Sequence, residues 1–159
     1  MAKNNNGKYY MSETIVFSND DYAFAKNLPI SKLRLFHKTM DKWNDHIEQL
    51  QRDSKELDAK AAEIAEKDGR DLEEVRDELG REYDKEHKDG LTFVDVAVEC
   101  ALIALQTWHV RSETGKTIES ENIDTDYIES TLDMPTINRI ISIAGAMDVG
   151  DIEKLEGKA

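Results

Sequence analysis

The stretch LRLFHKTMDKWNDHIEQLQRDSKELDAKAAEI, residues 33–64, decides the fold, because a series apolar at all but Ser54 returns every three or four positions at Leu33, Phe36, Met40, Trp43, Ile47, Leu50, Ser54, Leu57, Ala61 and Ile64. A chain turning every 3.6 residues gathers these on one face. The alternation of threes and fours is the seam of paired helices. The first half of the seam is bulky and reads as core. The second half has Ser54 and Ala61 at seam positions and Lys, Glu, Asp and Arg elsewhere, so that part of the helix should project. Asp68 and Gly69 offer a break, and Leu72, Val75 and Leu79 resume a helical stripe to about His87. The expectation is an extended charged helical hairpin.

Outward from this pair, Thr14 to Phe17 is β-branched and aromatic, Ser18 to Asp21 is turn chemistry, and Tyr22 and Phe24 alternate with small or charged residues to Lys26. That pattern predicts a β-hairpin over 12–27. Two strands alone are marginal in water, so the hairpin must rest on a helix or join a neighbouring subunit's strands. On the other side, Asp89 and Gly90 close the charged region. Thr92 with Asp95 forms a capping-box pattern opening the apolar run Phe93 to Val110, which reads as a central helix buried on nearly all sides. Arg111 to Asn122 reads as a loop. Two short helices should follow, one over about Asp124 to Leu132 and one from about Met134, with Asp133 as cap and Pro135 in the first turn. The fold class is therefore mainly α, an N-terminal β-hairpin packed on a helical domain with an extended charged helical hairpin. A single domain over 1–159 is expected: a flexible tail at 1–10, long helices at 28–88, a helical core at 91–149 and a second tail at 150–159.

The 159 residues suffice for one domain with a core. The 34 acidic and 21 basic side chains leave a net charge of −13, which repels nucleic acid phosphates. The charge is uneven. Residues 1–40 carry three acids and six bases, residues 41–89 carry 18 and ten, and residues 91–159 carry 13 and five. The one cysteine, Cys100, sits in the most apolar run, which excludes an internal disulfide and fits a reducing compartment. Met1 to Lys8 is polar, without the pattern of a secretion signal. Asp95, Glu99, Gln106 and His109 interrupt the apolar run and make it unsuited to a membrane.

No motif proposes an enzyme. Gly115, Lys116 and Thr117 look like the end of a phosphate-binding loop, but Val110 stands where that motif needs glycine, so a turn is the better reading. Asn122, Asp124 and Asp126 alternate as a calcium loop begins, yet Tyr127 and Asp133 occupy the positions that need glycine and glutamate; helix capping accounts for the acids. His37, His46, His87 and His109 show no ligand spacing. Cys100 lies among Val98, Ala101 and Leu102, a setting for an inert thiol. No cofactor is expected. Trp43 and Trp108 sit on helical apolar stripes and could serve core or interface, with core the better reading for each. Aliphatic stripes exceed what one small domain can cover, so Leu57, Ile64, Leu72, Val75, Leu79, Ile137, Ile140 and Ile141 are the candidate partner-binding residues.

The order of a short hairpin, then LPISKLRLFHKTMDKW at 28–43, FVDVAVECALIAL at 93–105 and TLDMPTINRIISIAGAMDV at 131–149 resembles the tail assembly chaperones of long-tailed phages and prophages. The charged segment at about 50–89 departs from the shorter pattern of that family. The resemblance implies a homo-oligomeric protein that binds the tape measure protein and recruits tail tube subunits in the host cytoplasm, absent from the mature virion. Two other readings stay open: a tail or neck component retained in the virion, and an acidic inhibitor that imitates DNA.

Overall fold

The structure is a computed structural model and describes residues 2–3, 9–10 and 12–146. Among the described residues the fold is mainly α, with five α-helices, a four-stranded antiparallel sheet and a separate two-stranded pairing. Contacts divide the chain into two compact units where the sequence pattern leads one to expect a single domain: Met1–Lys42 with Thr92–Ala159, and Trp43–Leu91. The continuous seam of residues 33–64 hides this division, because one helix, α1 (Ile30–Asp68), runs through the boundary.

In the first unit, β1 (Ala2–Lys3) pairs with β2 (Tyr9–Tyr10), within the span expected to be a flexible tail. The expected tail at 150–159 lies outside the described residues. The hairpin forms as β3 (Ser12–Val16) and β4 (Tyr22–Lys26), in a register that sets Thr14 opposite Phe24. Asp20 takes a positive φ of 69° in the turn, and the Phe17 N–H donates to the Asp21 carbonyl at 2.8 Å. Ala23 and Ala25 point inward and are fully buried, so α3 (Phe93–Trp108) and α5 (Met134–Gly145) approach β4 closely. The turn is held on α4 (Thr125–Thr131): Ser18 Oγ donates to the Thr131 carbonyl at 2.6 Å, and the Tyr127 hydroxyl donates to Asp21 at 2.7 Å. The hairpin thus rests on helices of its own chain.

The capping box at Thr92 and Asp95 is complete, and nine side chains of α3 are buried, from Phe93 through Cys100 to Trp108. The expected central helix forms and ends at Trp108, two residues before the end of the apolar run. His109 adopts φ 66° and turns the chain, and Val110 opens β5 (Val110–Arg111), which pairs with β4 and with β6 (Thr117–Ile118). The segment read as a loop from Arg111 is therefore a second short hairpin completing the sheet order β3-β4-β5-β6. Gly115, at φ 87°, makes its turn, and the Ser112 N–H donates to the Lys116 carbonyl at 2.8 Å. Helix α5 starts as expected, with the Asp133 carboxylate accepting the Thr136 N–H and Pro135 in the first turn. Its last carbonyls are satisfied from outside the helix: Asn27 Nδ2 donates to Ile143 at 3.0 Å and the Leu28 N–H to Ala144 at 3.2 Å.

The second unit is the remainder of α1 with α2 (Leu72–Glu86). Gly69 at φ 64° ends α1, and the Arg70 N–H reaches back to the Ala65 carbonyl at 3.1 Å, a closing bond that glycine permits. Asp71 then caps α2 by accepting the Glu74 N–H. The helices are joined by Arg76 to Asp58 at 2.5 Å and Tyr83 to Asp53 at 2.6 Å. Ala61 and Val75 are fully buried between them, and Trp43 is 7% exposed.

Candidate partner-binding surface

Most of the groups with chemical potential serve the fold. Burial pushes the Cys100 thiol up to about 12, with the Glu99 charge adding to it, so the thiolate nucleophile does not form near neutrality. Asp124 accepts the Tyr127 N–H at 2.9 Å and caps α4, which accounts for the calcium-like spacing of 122–126. Asp133 is held below the usual carboxylate range by its bonds to Thr136. Among the described residues no group of three or more His, Cys, Asp or Glu side chains could hold a metal ion. Nor is any described helix long and apolar enough to cross a membrane. Trp43 and Trp108 are both buried.

The eight residues expected to meet a partner fall into two sets. Ile137, Ile140 and Ile141 are 3%, 0% and 0% exposed, interior to the first unit. Placing them on a partner surface is thus corrected: α3 and β4 cover that face of α5, because the alanines of β4 let the sheet come close. Val75 is likewise interior, packed within the helix pair at 1%. The remaining four, Leu57, Ile64, Leu72 and Leu79, all lie in the second unit and keep contact with water; Leu72 is half exposed.

These four belong to a helix pair whose own interior is thin. Two clefts flank it. One, of about 320 Å³, is lined by Ala61, Leu72 and Arg76 with carboxylates of Asp58, Glu73 and Asp77. The other, of about 610 Å³, has Leu57 and Tyr83 among its lining residues, together with Asp53, Glu56, Glu63 and Glu86. The Tyr83 ring stacks on His87 with centroids 3.9 Å apart, and its hydroxyl donates to Asp53. That bond lowers the Asp53 pKa, with Gln49 adding a second donor, and it raises the phenol to about 12. Tyr83 escapes periodicity reasoning because it is a lone aromatic in a charged segment; its spacing of four from Leu79 is the only signal for it.

A second groove, of about 450 Å³, lies in the first unit beside the edge strand β3, lined by Thr14, Val16, Pro135 and Arg139. Arg139 closes on Glu13 at 2.6 Å. No protein-family model matches the chain, and no curated protein or solved structure matches it either.

Proposed function

We propose that this chain is a tail assembly chaperone of a long-tailed phage or prophage, which binds the tape measure protein and recruits tail tube subunits while performing no chemistry of its own. The observation that carries the reading is the helix pair of residues 43–91, where Leu57, Ile64, Leu72 and Leu79 stay partly in water around an interior of Ala61 and Val75. A long helical client needs its apolar faces covered until assembly, and a further helix laid on this pair would dry both sets of side chains at once. The acidic surface keeps such a holder soluble. The sequence resemblance at 28–43, 93–105 and 131–149 points the same way. In this reading the protein self-associates, acts in the host cytoplasm and leaves before the virion matures.

Co-expression with tape measure fragments tests the proposal. The unaltered chain is expected to co-purify with one or more fragments, and mass spectrometry of finished particles should not find it. Failure of every fragment to co-purify, or recovery of the chain from particles, defeats the reading. Unchanged capture after deletion of 52–88 would remove the helix pair from the contact.

A further inference from the structure

We infer that the cleft between α1 and α2 lined by Leu57 and Tyr83 takes a basic amphipathic helix of another protein. The inference rests on the proposed role as a holder of helices and adds the chemistry of what is held. The cleft offers an apolar patch of Leu57 and the Tyr83 ring, which suits aliphatic side chains presented one helical turn apart. Tyr83 is held in place by its hydrogen bond to Asp53 and its stacking on His87, so the patch is preformed. The surroundings are strongly one-signed: Asp53, Glu56, Glu63 and Glu86 face a single lysine, Lys60.

The wider setting has the same sign. Residues 43–91 carry 17 acidic against nine basic side chains, a net charge of −8. A second copy of this helix pair brings another −8 and is repelled, whereas lysine or arginine flanking the leucines of a partner helix is attracted. Charge thus selects the occupant that the apolar patch alone leaves open.

The experiment uses the full chain and two fluorescent helical peptides with identical leucine positions, one flanked by lysine and the other by glutamate. Anisotropy should show the lysine peptide binding about tenfold or more tightly than the glutamate peptide, and weakening as salt rises. The double variant Glu56→Lys with Glu63→Lys should lose about tenfold in affinity, since both side chains are exposed on the rim. The double variant Glu48→Lys with Glu66→Lys makes the same charge change outside the cleft and should retain most of the binding. Lysine replaces glutamate in a helix with little change in propensity, so both variants fold. Equal binding of the two peptides, or equal loss in the two variants, overturns the inference. If tape measure fragments are captured unchanged by Glu56→Lys with Glu63→Lys, the cleft is not the seat of binding although the chaperone role stands. If the unaltered chain captures no fragment, that role falls and the peptides still decide the cleft.

Discussion

The two units solve the same problem of covering apolar side chains in opposite ways. In the first, Ile140, Ile141 and Ile143 on α5 and Leu105 on α3 are completely buried, against a strand trimmed to alanine so that the layers meet. In the second, Ala61 and Val75 are the fully enclosed apolar side chains, and the leucines around them remain partly wet. The first region encloses many large side chains yet leaves Val16, Phe24, Ile30, Leu35 and Val94 exposed; the second encloses few. Local stability follows buried apolar contact, so the helix pair should open at lower cost than the sheet and its helices.

The largest test of that contrast is Ile141→Ala. Removing a fully enclosed isoleucine side chain costs about 2–5 kcal/mol, and the denaturation midpoint of the first unit should fall accordingly. Cys100 reports the event, because its buried thiol reacts with a thiol reagent only when α3 is uncovered. Val75→Ala should cost about 1.5 kcal/mol from the lost methyl groups, read as faster amide exchange in α2 while Cys100 stays protected. If that variant exposes Cys100 as fast as Ile141→Ala does, the two units open together and the contrast fails.

A pH titration sharpens the contrast without a core mutation. The folded Tyr83 phenol keeps its proton up to about 12, against 10.0 for an unperturbed tyrosine. Its contribution to the helix pair is therefore complete below pH 10 and disappears as pH rises towards 12. Ultraviolet absorbance should show Tyr83 ionising late, together with Tyr127, whose phenol is also pushed up by burial and Asp21. Asp53→Asn should bring back toward the ordinary value the ionisation of Tyr83 alone. The smallest effect belongs to Glu78→Gln. It removes the Arg70–Glu78 pair at 2.7 Å, but both side chains are solvated, and melting curves should barely move.

How much of this was legible depends on whether a residue's surroundings follow its spacing. The long helix, the β3–β4 hairpin, the capping box at Thr92 and the Asp133 cap are local patterns, and they appear where spacing and side-chain chemistry put them. Strands β5 and β6 are two residues each, too short for any period, and Val110 is masked by the apolar helix before it. The isoleucines of α5 show the other limit. Their spacing announces a covered face without saying whether chain or partner covers it, and here β4 and α3 do. For Leu57 and Leu72 the same periodicity ends in water, because the segment 43–91 has too few large side chains to enclose them.

The chain leaves the first unit at Lys42 and re-enters it at Thr92, so in sequence the helix pair interrupts that unit. Seven residues added to each of α1 and α2 would lengthen the pair by about 10 Å and keep every leucine in phase. The length of the pair can therefore change by whole heptads while the buried isoleucines of α5 keep their surroundings.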